Sequence, residues 1–268
     1  MSSLRIIAIV QARMASSRLP GKVLKDIAGK PMLLHVVERL RMARTPSTVV
    51  VATTTDPSDD AVEELCGQHH IACYRGSLYD VLDRFYQAAK TYKADVVIRI
   101  TADCPLLDPG LVDETVQALL DSGADFCANR LPPPWKRTYP IGLDCEVVSF
   151  EALERAWREA SVPYQREHVL PYLYDEEGRF KVHVINHVPD YGHLRWTVDT
   201  AEDLEVVRKI FAHFSPRQDF TWKDVLEYYL ERPDLQAANA NVHHKSALDL
   251  DEKFSREEPQ SSSKTNIP

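Results

Sequence analysis

The sequence predicts an α/β fold, with a mostly parallel central sheet and helices on both faces. Three observations carry this. Short β-branched runs alternate with amphipathic stretches along most of the chain, as in successive βαβ units. The 268 residues allow one large domain, or one with a small appendage. A content of 44% hydrophobic and 27% charged residues is that of an ordinary globular body.

The first strand is Ile6–Val10. The helix Pro31–Met42 follows, with Pro in its first turn and Leu33, Val36, Val37 and Leu40 on one face. Strand Val49–Ala52, helix Asp59–Cys66 and a weaker strand at Ile71–Tyr74 come next. The pattern continues with helix Val81–Tyr92, strand Val96–Ile100, helix Leu111–Asp121 and a weaker strand at Asp125–Ala128. Leu131–Tyr139, with three consecutive prolines and Trp135, reads as a stiff loop. Strand Asp144–Val148, helix Phe150–Glu159, strand Phe180–Ile185 and helix Glu202–Phe214 complete the body. Residues 235–268 are polar, with Phe254 as their one aromatic. Too few apolar side chains are present to offset the entropy of ordering them. The expected division is a domain at 1–234 and a dispensable tail at 235–268, disordered or loosely docked.

Charge and cysteine usage narrow the function. A net charge of -8 argues against a broad grip on nucleic acid or an anionic membrane. No apolar run reaches the roughly 18 residues of a spanning helix, and Ile6–Val10 is too brief for a signal core. Nine Gly against seventeen Pro argues against glycine-rich dinucleotide turns. The five cysteines are widely spaced and form no CxxC pair, which disfavours a zinc ribbon or redox dithiol and fits a reducing cytoplasm.

Sheets of this kind bind ligands beyond the C-terminal ends of their strands, so the loops after Val10, Ala52 and Ile100 matter most. The first runs Gln11-Ala-Arg13-Met-Ala-Ser16-Ser17-Arg18-Leu-Pro20-Gly21-Lys22. Its cations and hydroxyls, with N–H groups freed by a turn at Pro20–Gly21, suit a polyphosphate. It is not a Walker loop, lacking the first glycine and the hydroxyl after the lysine. A plain charged surface loop is the competing reading. The second segment is Arg99-Ile-Thr101-Ala-Asp103-Cys-Pro105, where Asp103 ends a strand and suits a divalent cation on a phosphate. Capping the next helix is the alternative role, for which Asp108 is better placed. In the third, Arg195-Trp-Thr-Val-Asp199-Thr200-Ala-Glu202-Asp203, Asp199 is either a helix cap or a second carboxylate for that cation.

The first loop resembles the amino-terminal signature of the cytidylyltransferases that make CMP-activated sugars, such as CMP-KDO synthetase and acylneuraminate cytidylyltransferase. The resemblance is closest to the SpsF branch, the spore coat polysaccharide biosynthesis proteins. It runs from Ile6 to Phe214 and includes Val23–Met32, Phe85–Ala89, Arg99–Pro109, Thr138–Phe150, Arg166–Tyr172 and His193–Asp203. It implies a nucleotide-diphospho-sugar transferase type of fold. It also implies that Arg13, Lys22 and Ser16 bind the CTP phosphates, and that Asp103 and Asp199 hold Mg²⁺. Asp103 corresponds to the aspartate of the Gly-Asp-Glu-Pro segment in CMP-KDO synthetase. Here Cys104 replaces the glutamate, and Thr101 stands where that enzyme has a sugar-contacting glutamine. These substitutions leave the metal assignment intact and bear on whether the acceptor is KDO. Thr101, Asp144, Arg166, Glu167 and His168 are the implied acceptor contacts.

The reaction so implied is CTP plus an acceptor giving a CMP conjugate and pyrophosphate, in surface polysaccharide biosynthesis, by a cytoplasmic homodimer. The acceptor is a sugar acid, or else a phosphate or phosphonate. A glycosyltransferase of similar fold and a catalytically silent nucleotide-binding partner protein are the alternatives. The Asp-x-Asp spacing typical of the former occurs only at Asp249–Asp251, in the tail. Arg18, mid-loop, is expected to face solvent. His183 and His187 are expected to be ordinary strand histidines, and Cys104 a buried structural thiol.

Overall fold

Residues 4–242 are described by the computed structural model. The chain enters as β1 (Ile6–Gln11), makes a small ribbon of β2 (Asp26–Ile27) and β3 (Lys30–Pro31), and continues into α1 (Met32–Met42). Then follow β4 (Thr48–Thr54), α2 (Asp60–Gln68), β5 (Ala72–Gly76), α3 (Val81–Thr91), β6 (Val96–Thr101) and α4 (Pro109–Ser122). Next come β7 (Phe126–Ala128), β8 (Glu146–Ser149), α5 (Phe150–Glu159), α6 (Pro163–His168) and β9 (Val182–Val184). The described part ends with α7 (Ala201–Phe214), α8 (Trp222–Leu230) and α9 (Pro233–Ala238).

The Val- and Ile-rich runs β1, β4 and β6 lie inside a mixed sheet of order β5-β4-β1-β6-β8-β7-β9. They are apolar on both faces because helices cover both faces. Ala8, Val10 and Ile98 face one apolar cluster with Leu33 and Val37 of α1, while Ile7, Ile9 and Val97 face another with Phe85 of α3. The parallel register aligns Gln11 with Ala52 on one side and Thr101 on the other. Three strands therefore deliver their following loops to one edge of the sheet.

The expected parallel pattern is broken at β8, which runs antiparallel to both β6 and β7. An antiparallel strand starts where its neighbour ends. Asp144, just before β8, thus arrives beside the C-terminal end of β6. The strand begins at Glu146 rather than at Asp144, and β9 is shorter than the expected run from Phe180 to Ile185. His187 lies beyond β9, its ring 4.9 Å from Trp222 and 5.7 Å from Tyr191.

Periodicity does not predict helices α8 and α9. The α8 start is marked by a capping box: Thr221 Oγ1 accepts from Asp224 N, and Asp224 Oδ2 accepts from Thr221 N. The boundary expected at residue 235 falls inside α9. Leu235 is fully buried among Trp196, Leu204 and Tyr229, and Asn239 is only 3% exposed. The remainder of the proposed tail, 243–268, lies outside the described residues. All five cysteines are free. Among the described residues no helix is long and apolar enough to cross a membrane.

Candidate active site

The loop after β1 is closed on itself. Gly21 has φ of 68°, a left-handed conformation that suits glycine, and its N–H donates to Met14 O at 2.9 Å. Ser16 Oγ accepts from Leu19 N at 3.4 Å. The buried Asp59, just before α2, accepts from Met14 N at 2.6 Å and from the Thr54 hydroxyl. Gly21 thereby turns Lys22 back toward the strand ends, while Arg13 lines the cleft beside them.

A second loop, 102–108, and the segment 195–200 are tied together. Asp103 O accepts from Val198 N at 2.9 Å and from Thr197 Oγ1 at 3.1 Å. Gly142 (φ 107°) passes so close that a Cβ there would lie 2.5 Å from Thr197 N. Helix capping is done by neighbours of the two aspartates. Asp108 Oδ1 accepts from Leu111 N at 2.8 Å, and Thr200 forms a capping box with Asp203 on α7. The carboxylates of Asp103 and Asp199 are left for the cleft.

These two carboxylates converge on one cation. Lys22 Nζ donates to Asp103 Oδ2 at 2.7 Å, to Asp199 Oδ1 at 2.8 Å and to Val198 O at 3.0 Å. Asp199 Oδ2 also accepts from Arg195 Nη2 at 2.9 Å and pairs with Arg18 Nη2 at 2.9 Å. Arg18 is exposed, as expected, but its guanidinium also reaches back to Asp199. Burial alone would raise the Asp199 carboxyl, but Lys22, Arg18 and Arg195 outweigh it and hold it below the usual carboxylate range. Burial alone would lower the Lys22 ammonium, but Asp103 and Asp199 more than offset it and raise its pKa. Thr101 Oγ1 donates to Asp103 Oδ1 at 2.5 Å and so orients the first carboxylate.

The cleft around this cluster encloses about 550 Å³, within the range of small-molecule sites. Its far side carries Arg130, Arg137, Asp144, Glu167 and His168. Asp144 takes both Arg137 Nη atoms and lies 3.4 Å from Arg130 Nε. Arg99, on β6, is paired with Glu146 on β8, the residue directly opposite it. Arg166 is not brought to the cleft. It forks onto Asp80 at the start of α3 and donates to Trp157 O at 2.6 Å, which ties α6 to α3 and α5. Arg99, Arg130 and Arg137 were not singled out as site residues from the sequence. The latter two lie in a proline-interrupted loop without periodicity, and only folding pairs them with Asp144.

His168 ends α6 at a γ-turn of the rare hand: Val169 has φ 75° and ψ −58°, and Leu170 N donates to His168 O. Such a conformation strains a β-branched residue. His168 Nε2 is buried and has no hydrogen-bond partner among the described residues. Burial, with Arg99 and Arg130 adding to it, lowers His168 from 6.5 to about 4. The fold thus favours the neutral ring. Its contribution to stability is complete above about pH 6.5 and is lost as pH falls toward 4, where the unfolded ring takes up a proton first. His168→Asn is expected to flatten the acid limb of a melting-temperature series between pH 7.5 and 4.5. Parallel curves for the two proteins would show that His168 titrates normally.

The geometry is that of a cationic loop facing paired carboxylates, and the cytidylyltransferase family profile matches residues 7–249. The chain belongs to the cytidylyltransferase family. The spore coat polysaccharide biosynthesis protein SpsF of Bacillus subtilis is 31% identical over 85% of this chain and 95% of its own length. Among solved structures, a cytidylyltransferase from Leptospira borgpetersenii is 32% identical, with a TM-score of 0.83 over 90% of this chain and all of its own. A CMP-KDO synthetase complexed with CTP matches 78% of this chain and 99% of its own with a TM-score of 0.60. At 22% identity it shares the fold. This cytidylyltransferase thus has the nucleotidyltransferase-like architecture, and it is an enzyme of CTP-dependent cytidylyl transfer. Cys104, beside Asp103, is fully buried and its thiol is pushed well up by burial, then by Asp103. It is unsuited to be a nucleophile.

Proposed function

We propose that this cytidylyltransferase activates a sugar acid as its CMP conjugate, with release of pyrophosphate, for surface polysaccharide synthesis. The observation that carries the reading is the meeting of Asp103 Oδ2 and Asp199 Oδ1 on one ammonium, at the mouth of the phosphate loop. Two carboxylate oxygens that converge on one cation fit a Mg²⁺ site, since Mg²⁺ usually takes one or two carboxylates plus phosphate and water. Asp103 and Asp199 would hold it, and when bound it supplies charge to the α-phosphate and acidity to the acceptor hydroxyl.

Arg13, Lys22, Ser16 and Arg18 face the triphosphate side of the cleft. Their cations neutralise the β and γ phosphates and the leaving pyrophosphate, and their loop is pinned before substrate arrives. The acceptor oxygen forms one P–O bond to the α-phosphorus as the bond to pyrophosphate breaks. No covalent enzyme intermediate is needed. On the acceptor side Arg130 and Arg137, bridged by Asp144, supply positive charge for a carboxylate, and the neutral His168 offers a single hydrogen bond to a hydroxyl. Glu167 lines the same side. Thr101 acts on Asp103 rather than on the acceptor. The enzyme is read as a cytoplasmic homodimer that uses no nucleic acid or membrane, and its five free thiols support that compartment.

The test is pyrophosphate release with CTP, Mg²⁺ and a series of ulosonic and nonulosonic acids, each run against ATP, GTP and UTP. CTP-dependent release with at least one acid is expected. Release only with a phosphorylated or phosphonate acceptor would replace the sugar-acid assignment.

A further inference from the structure

Residues 236–241 read Gln-Ala-Ala-Asn-Ala-Asn, and nothing in that composition separates Asn239 from Asn241. The fold does. Leu235 anchors α9 in the core, and the chain then turns so that Asn239 is 3% exposed while Asn241 stays at the surface. Asn239 Nδ2 donates to Asp203 Oδ1 at 2.9 Å and to Arg195 O at 3.2 Å. Asp203 is fully buried. Its two oxygens also accept from Arg195 Nε and Nη2, both at 2.9 Å, and from the Asp199 and Thr200 N–H groups at 3.0 and 3.1 Å. Arg195 Nη2 in turn donates to Asp199 Oδ2 at 2.9 Å. A continuous path runs from Asn239 through Asp203 and Arg195 to the Asp199 carboxylate.

We propose that Asn239 is a positioning residue, which fixes Asp203 and Arg195 and through them the carboxylate of Asp199. The C-terminal segment is thereby part of the active-site framework. This rests on the reading that Asp199 holds the divalent cation. The physical reason is the state of Asp203. A fully buried carboxylate must have its lone pairs filled, or it shifts and takes its partners with it. Asn239 fills one of them and clamps the Arg195 backbone with the same amide. Losing it frees Arg195 to rotate, and the Asp199 oxygens lose their fixed aim. Groups that must meet a reacting centre are held to within a fraction of an ångström by such supporting contacts.

The test compares Asn239→Ala with Leu235→Ala and Asn241→Ala in the full chain. Asn239→Ala is expected to lower kcat about tenfold, the scale of one hydrogen bond to a charged group. It is also expected to raise the half-saturating Mg²⁺ concentration severalfold with little change in KM for CTP. Mn²⁺ binding in the presence of a non-reacting CTP analogue, followed by electron paramagnetic resonance, should weaken in parallel. Leu235→Ala, which loosens the anchor of Asn239, should lower the melting temperature and move the metal dependence in the same direction, and Asn241→Ala should do neither. An Asn239→Ala protein that loses only melting temperature, with kcat and Mn²⁺ binding unchanged, overturns the proposal. If that variant does not fold, Asn239→Ser carries the same test with a smaller defect. Asp199→Asn run alongside separates the two ideas. An inactive Asp199→Asn with a fully competent Asn239→Ala refutes the positioning role alone, whereas an Asp199→Asn with normal Mn²⁺ binding refutes the metal reading beneath it.

Discussion

Asp199→Asn and Asp103→Asn are each expected to lower kcat by at least about a hundredfold, the loss typical of removing one electrostatic stabiliser, while the fold survives. The neutral amide keeps the shape and removes the charge that a divalent cation requires. The two variants are expected to differ in stability. Asp199 neutralises Lys22, Arg18 and Arg195, whereas Asp103 shares Lys22 and otherwise binds the Thr101 hydroxyl. Asp199→Asn removes a negative charge that three cations share, and should lower the melting temperature more. Steady-state kinetics with circular dichroism melts checks both halves. A folded variant with near-normal turnover would remove that residue from the metal site, and equal melting temperatures would show that the cations find other partners.

Lys22→Ala carries the second large effect. Lys22 donates to both carboxylates, and Gly21 turns it back toward them. A hydrogen bond to a charged group is worth about 1.5–3 kcal/mol, so kcat/KM for CTP should fall roughly tenfold to hundredfold. Pyrophosphate leaves with more charge than it carries within CTP, so part of the loss should appear in kcat. The ammonium also occupies the point where the carboxylate oxygens meet. Without nucleotide, the Lys22→Ala protein should therefore bind Mn²⁺ more tightly than the parent, although it binds CTP more weakly. A rise in KM alone would mean that Lys22 only holds the nucleotide. Weaker Mn²⁺ binding in the nucleotide-free variant would place the metal elsewhere.

Much of the site was legible because its residues follow strands. β1, β4 and β6 show themselves as β-branched runs, and the end of such a strand is where a parallel sheet presents its ligands. Arg13, Lys22, Asp103 and Thr101 are candidates on that ground and line one cleft, and the Pro20–Gly21 turn marks the loop that returns Lys22. Arg166 was misplaced because it shares a short helix with His168. A sequence shows that the two are neighbours but not which face of the helix meets Asp80. The ion pair of the exposed Arg18 with Asp199 is not legible, because position within a loop says nothing of how the loop closes.

The sequence by itself determined the alternation of strands and helices, the parallel half of the sheet and the chemistry of its loops. Periodicity and turn residues act over a few positions, so those patterns are legible without knowing what they pack against. Only the tertiary structure decided the rest. The direction of β8 is set by the path of residues 129–145, and it is what carries Asp144 to the cleft end of β6. The union of Asp103 with Asp199 depends on contacts from Val198 and Thr197 to one carbonyl oxygen. The burial of Asn239 depends on Leu235 finding the core, in a segment whose composition reads as solvent-loving. Each of these joins residues far apart in the chain, through packing and hydrogen bonds that no local pattern encodes.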